Sequence, residues 1–204
     1  MIRTKKDLKE YISTERALWL RCNFPAGNPQ HVKSKELDFV ESLRYMEYYG
    51  TWPKKKRILG GGVIYFFHRW RYKYLSEKWN VSIPLYVFEK GLMITHLQNI
   101  VVSNRVKVGR YCRLFHNTTL GIKLGRKTEK ERTCPIIGDG VTICTGAVVV
   151  GGIDVADGVM IGANAVVSHS VPDRDVVVAG IPAHIRGRNS GFSMLELKNS
   201  LELE

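Results

Sequence analysis

The stretch PIIGDGVTICTGAVVVGGIDVADGVMIGANAVV, residues 135 to 167, repeats itself: Ile137, Ile143, Val149, Val155, Ile161 and Val167 fall six residues apart. An amphipathic helix would set apolar residues three and four apart, and a half-buried strand would alternate over a short run and then turn. A strict period of six over five intervals fits neither. Two positions before each aliphatic residue stands one that is mostly small or β-branched: Pro135, Val141, Ala147, Ile153, Val159 and Ala165. Gly follows in Ile137-Gly138 and Ile161-Gly162. This is the hexapeptide rule of a parallel β-helix, in which three units close a coil. The strand's period of two aims both residues into a narrow interior, and Gly admits the turn backbone. The phase returns upstream at Val102, Val108, Leu114 and Leu120, which puts the start of the β-helix near Ile94. The polar segment KLGRKTEKERTC, residues 123 to 134, interrupts it, and loops on a rigid scaffold tend to carry function. The fold class is mainly β, with a parallel β-helix over 83–188, a small α-helical region over 1–82 and a tail over 189–204.

In the leader, TKKDLKEYISTERALWL reads as a helix with Thr4 as N-cap and Leu8, Tyr11, Ile12 and Leu18 near helical spacing. KELDFVESLRYMEYYG reads as a second helix ending at Gly50, with NFPAGNPQ between them as a loop. VIYFFHRWRYKYLSEKWN, residues 63 to 80, makes a third.

The 204 residues carry a formal charge of +12, so Lys and Arg dominate the surface. No helix-turn-helix, zinc-finger or RNP-like pattern accompanies that charge, and nucleic acid is not the expected partner. Lys107, Arg110, Arg113, Lys123, Arg126, Lys127, Lys130, Arg186 and Arg188 would attract a phosphorylated cofactor. The run PKKKRILGGGVIYFFHRWRYK joins cations to aromatics as a segment at an anionic membrane surface does, which makes residues 54–74 a candidate for peripheral membrane association. An ordinary helix with aromatics inward and cations outward is the competing reading. The apolar part, ILGGGVIYFF, is far short of the ~20 residues needed to span a bilayer. With no secretory signal pattern at the N-terminus, the expected location is the cytoplasm, with the inner membrane face as a variant.

Cys22, Cys112, Cys134 and Cys144 form no Cys-x-x-Cys pair and have no His cluster at ligand spacing. Neither a disulfide framework nor a metal site is expected. Cys112 takes the small inward position before Leu114, and Cys144 a turn position after Ile143.

The block IGANAVVSHSVPDRDVVVAGIPAHI, together with IPLYVFEKGLMITHLQNIVVSNRVKVGRYCRLFHNTTLG upstream, resembles the left-handed β-helix acyltransferases, in their serine acetyltransferase-like branch. The likeness covers about residues 83 to 188. With the leader Tyr74-Leu75 and Ile83-Pro84-Leu85 it is closer still to the capsule and lipopolysaccharide O-acetyltransferases. The resemblance implies a trimer that binds acetyl-CoA, as acyl donor, in the groove between neighbouring β-helices, and requires no metal. It puts the catalytic His at His96 in Ile94-Thr95-His96. A hydroxyl attacking a thioester needs a general base, and imidazole suits that task. His116, twenty residues on and close to one coil away, would stand beside His96 and orient acceptor or thioester. A structural His is the alternative for each; His169 and His184 fall in late turns and His68 in the basic helix. Gly121, Thr145, Gly146, Gly162 and Ala163 match positions lining the pantetheine groove, and Arg186 and Arg188 would meet the CoA phosphates.

The chain departs from serine acetyltransferases at three points. Glu131-Arg132-Thr133-Cys134-Pro135 puts Cys134 where they have a second His, Thr95 stands for the Asp before the first His, and Val81 for its partner Asp upstream. These losses remove groups that orient an imidazole or recognise an amino acid's charges. The expected acceptor is therefore a hydroxyl of a cell-surface saccharide or its precursor. L-Serine is the alternative, and a non-catalytic trimeric scaffold is a third reading from another class. Cys134 as an acyl-carrying nucleophile is disfavoured, although Lys130 and Arg132 lie near it in sequence.

Overall fold

The computed structural model describes residues 1–23, 34–55, 61–123 and 132–190. Three helices lead. Helix α1 spans Lys5–Asn23, and Thr4 caps it reciprocally: its hydroxyl accepts from the Asp7 amide at 3.1 Å while the Asp7 carboxylate accepts from the Thr4 amide at 2.8 Å. Leu8, Tyr11 and Leu18 are its buried apolar residues. Helix α2 spans Lys35–Gly50, with the hydroxyl of Ser34 accepting from the amides of Glu36 and Leu37. Helix α3 spans Gly62–Trp79 and ends where Asn80 turns left-handed at φ 51°. The predicted loop 23–30 lies, apart from Asn23, outside the described residues, as do the centre of the polar segment (124–131), part of the basic run (56–60) and the tail from 191.

Fourteen described strands follow, β1 to β14, and wind into three faces. One face is a five-stranded sheet in the order β1 (Val81–Ser82), β3 (Ile100–Val102), β6 (Thr119–Gly121), β9 (Val148–Val150), β12 (Val166–Val167). The second orders β10 (Asp154–Val155), β7 (Ile136–Ile137), β4 (Lys107–Val108). The third is six-stranded: β14 (His184–Arg188), β13 (Val176–Ala179), β11 (Met160–Ile161), β8 (Thr142–Ile143), β5 (Arg113–Phe115), β2 (Met93–Thr95). Every pairing is parallel except that of β13 with β14. Ile143 pairs with Ile161, Ile137 with Val155 and Val149 with Val167, so the aliphatic residues predicted inward stack coil upon coil. All six are buried, as are Val141, Ala147, Ile153, Val159 and Ala165 two positions before them.

Two expectations are corrected. Pairing begins at Val81, which is in register with Ile100, and Phe88 bridges Val108, so a further coil precedes Ile94. His184 opens β14, folded back antiparallel on β13, rather than sitting in a turn. The core is continuous from Phe39, Val40 and Leu43 of α2 into the β-helix interior. A buried guanidinium joins the parts: Arg44 donates to Glu15 of α1 at 2.6 Å, to Glu47 at 2.7 Å, and to the carbonyls of Phe88 and Glu89 at 2.9 and 2.8 Å. No described helix is long and apolar enough to cross a membrane.

Candidate active site

Strands β2, β5, β8 and β11 of the six-stranded sheet each hand the chain to the five-stranded sheet at one corner, β13 reaches the same corner before folding back into β14, and the residues leaving these strands form a column. The registers Ile94 to Leu114, Leu114 to Ile143, Ile143 to Ile161 and Ile161 to Val178 set His96, His116, Thr145, Ala163 and Gly180 one above another. Backbone bonds tie the rungs: the Asn117 amide donates to Gln98 at 3.1 Å, Gly146 to His116 at 3.2 Å and Asn164 to Thr145 at 2.9 Å. The turns need left-handed backbone at His96 (φ 60°), Asn117 (58°), Gly146 (73°), Asn164 (55°) and Gly180 (103°), so the sequence places Gly or Asn at four of these five.

His96 is the exception, an exposed residue carrying a side chain on a left-handed turn. Its ring centroid lies 5.7 Å from that of His116, the planes nearly perpendicular at 73°. The Nδ1 of His116 is buried without a hydrogen-bond partner among the described residues, which leaves it hydrogen-bonding capacity to spare. Beside the turn, Glu36 of α2 accepts from the Leu97 amide at 3.3 Å, holding the peptide that follows His96. Thr95 accepts from the Arg113 Nε at 3.1 Å, and that half-buried guanidinium lies 4.7 Å over the Phe115 ring. Burial holds Arg113 below the usual guanidinium range and pushes the neighbouring Cys144 and Cys22 thiols up. Nothing in the sequence points to Glu36, and Arg113, expected among the cations that attract a phosphorylated cofactor, is instead bonded to Thr95 beside the site. The first reaches the site from a helix sixty residues away in sequence. The second sits at an outward strand position that reads as a solvated charge.

Of the expected cofactor residues, Thr145, Gly146, Gly162 and Ala163 stand in the column with both imidazoles. Gly146 and Gly162 also serve the stacking itself: a Cβ on Gly146 would meet the Asn164 side-chain oxygen at 2.1 Å, and one on Gly162 the Ala179 Cβ at 3.1 Å. Arg186 joins the same corner, its Nε donating to the Ala179 carbonyl at 3.4 Å beside Gly180. Gly121 does not belong to the column. It ends β6 at the far corner of the five-stranded sheet, opposite Val150, and open space faces its α-carbon beyond Thr119. That corner borders a cleft of about 560 Å³ lined by Lys123, Arg132, Gly151, Gly152, Asp154 and Ser168. Arg188, two residues beyond Arg186 in β14, pairs with Val176 at the open end of the hairpin, away from the Gly180 corner.

Cys134 is buried in the core cluster, its Sγ 3.5 Å from the Ser103 hydroxyl, while Arg132 is committed to Asp154 at 2.6 Å. Val81 is core. No group of three or more His, Cys, Asp or Glu fit to hold a metal occurs among the described residues.

No family model matches the chain. It is similar to the serine acetyltransferase of Buchnera aphidicola subsp. Acyrthosiphon pisum, 34% identical over 131 residues, which is 63% of this chain and 47% of that protein. With the serine acetyltransferase of Staphylococcus aureus strain Mu50 it shares 41% over 96 residues, 47% of this chain and 43% of the relative. The chain therefore spans less than half the length of these relatives. Among solved structures, a serine acetyltransferase in complex with CoA superposes with a TM-score of 0.64 at 22% identity, over 89% of this chain and 70% of that one. The fold is that of the serine acetyltransferases. The likeness in sequence lies toward the same proteins, and these relatives lend nothing to the resemblance to capsule and lipopolysaccharide O-acetyltransferases.

Proposed function

We propose that the protein is an acetyl-CoA-dependent O-acetyltransferase with His96 as general base. The observation that carries the reading is the pair of imidazoles 5.7 Å apart at the end of a column of small corner residues. The acceptor hydroxyl gives its proton to His96 as its oxygen attacks the thioester carbonyl. A C–O bond forms, the C–S bond breaks, and the imidazolium returns the proton to the departing CoA thiolate. His116, with its free Nδ1, orients acceptor or thioester. Thr145, Gly146, Gly162 and Ala163 line the pantetheine groove, Arg186 meets a phosphate, and Gly121 and Arg188 contribute from other edges of the coil. A trimer brings two such surfaces together, with the groove between them.

L-Serine is the acceptor that the named relatives favour. One observation favours the saccharide hydroxyl expected from the sequence: Thr95 is bonded to Arg113, Val81 is core and Cys134 is buried, so the positions that differ from serine acetyltransferases offer no free charge to an amino acid. CoA release from acetyl-CoA, measured with L-serine, simple sugars and capsule or lipopolysaccharide fragments, separates the two. Turnover should fall about 10²–10⁴-fold in His96→Ala, the usual worth of a general base. Unchanged turnover in that variant, or failure of acetyl-CoA at a hundredfold excess over its dissociation constant to add about 2.7 kcal/mol of stability, would overturn the reading in favour of a non-catalytic scaffold.

A further inference from the structure

Helix α3 presents its aromatics the wrong way round for a solvated helix. Its inner face is settled by contacts: Tyr72, Leu75 and Trp79 pack against the core, the Tyr72 hydroxyl donates to the Ile83 carbonyl, and the His68 ring stacks 4.4 Å from that of Tyr45. On the opposite side Val63, Phe66, Phe67, Trp70 and Tyr74 recur at helical spacing and are 47% to 87% exposed. Trp70 and Tyr74 stack on each other at 5.6 Å, which fixes the stripe as a surface. Cations flank it on both sides, Arg69 and Lys73 on one and Lys78 and Arg71 on the other, with Arg71 paired to Asp38 of α2 at 3.3 Å and Glu77 of the helix paired to Lys73 at 3.6 Å. Between Pro53 and Tyr74 the sequence holds seven Lys or Arg and no Asp or Glu.

We propose that this face of α3 docks on an anionic lipid bilayer, lying in the interface with its aromatics among the acyl chain ends and its cations against the headgroups. An apolar stripe between cationic flanks matches a surface that is apolar beneath and negative above. A second copy of the chain fits less well, because a two-fold contact would press the same cationic flanks together. The helix lies on the membrane, since no described helix is fit to span one. The proposal stands on α3 and not on the acetyl transfer, which a solution assay reads separately.

The test is co-sedimentation of the full chain with vesicles of phosphatidylcholine alone or with 30% phosphatidylglycerol, at low and high salt, beside sedimentation velocity without lipid. Binding should require the anionic lipid and fall with salt. It should fall about fivefold for each of Arg69→Gln and Lys73→Gln, equivalent to about 1 kcal/mol per cation. Phe67→Ser/Trp70→Ser should abolish binding while leaving the assembly and CoA release unchanged. Equal binding to both vesicles, none to either, or a loss of assembly in Phe67→Ser/Trp70→Ser would each overturn the proposal, the last in favour of a subunit interface.

Discussion

Replacing Arg44 by Met should be among the most damaging single changes in the leader, and the structure sets its size. Arg44 is fully buried and donates to Glu15 Oε1, to Glu47 and to two carbonyls of the first coil, while Glu15 Oε2 has no hydrogen-bond partner among the described residues. Met keeps most of the side-chain volume but leaves two buried carboxylates without their cation. Removing one partner of a buried ion pair costs about 3–5 kcal/mol. In a chain of 204 residues that corresponds to about 6–20 °C in melting temperature. The pH dependence follows from Glu15. Burial raises its carboxyl, and the charge and hydrogen bonds of Arg44 pull against that rise. Without Arg44 the folded value rises further above the unfolded one, so the native state binds more protons than the unfolded state and stability falls as pH increases through that interval. Denaturant unfolding at pH 7 and pH 4.5 should show a deficit smaller at the lower pH by about 1 kcal/mol or more. Adding Glu15→Gln and Glu47→Gln should restore much of the loss, because each amide oxygen still accepts from the Leu92 and Tyr86 amides that the carboxylates now serve. A deficit under about 1 kcal/mol at pH 7, or one that grows toward pH 4.5, would refute the account of a desolvated ion triad.

Three further outcomes are expected. His96→Asn keeps a residue tolerant of the left-handed turn, so melting temperature should be unchanged while CoA release drops as far as in His96→Ala; His116→Asn should lose less. Gly146→Ala should lower stability by about 1–2 kcal/mol for its φ of 73° alone and weaken acetyl-CoA binding as Asn164 is displaced, read by thermal unfolding with and without the ligand. Iodoacetamide at pH 8 should leave activity intact, since Cys134 is buried and burial pushes the Cys112 thiol up to about 12; inactivation in step with Cys134 alkylation would revive it as a nucleophile.

The hexapeptide rule was legible because each inward aliphatic residue from Ile137 to Val167 meets its own kind in the next coil, which enforces the period. The first coil was not. Its inward residues Ile83, Phe88, Ile94 and Val102 are five, six and eight apart, so the turns vary in length and the phase is lost although the pairing persists. The sequence reading ends α2 at Gly50, as observed, carries α3 one residue too far, to Asn80, which turns left-handed as its cap, and does not name the cap at Ser34. At the site, twenty residues between His96 and His116 sufficed to foresee their meeting, since a coil returns the chain about 4.8 Å higher. The reach of Glu36 to the Leu97 amide had no sequence signal, being a contact between the leader and the coil.

Restoring the acid that serine acetyltransferases carry before the first His tests what the neutral corner means. Thr95 already accepts from the Arg113 Nε at 3.1 Å. A carboxylate in Thr95→Asp would be captured by that guanidinium instead of turning to His96, because Arg113 is half-buried and held by the Phe115 ring. The expected result is a gain of up to about 1 kcal/mol in stability and no gain in turnover on L-serine. Thr95→Asp with Arg113→Gln frees the carboxylate, and only there should L-serine turnover rise. If Thr95→Asp alone raised turnover on L-serine tenfold, Arg113 would not be the lock on this position, and the neutrality of the corner would cease to argue for a sugar hydroxyl.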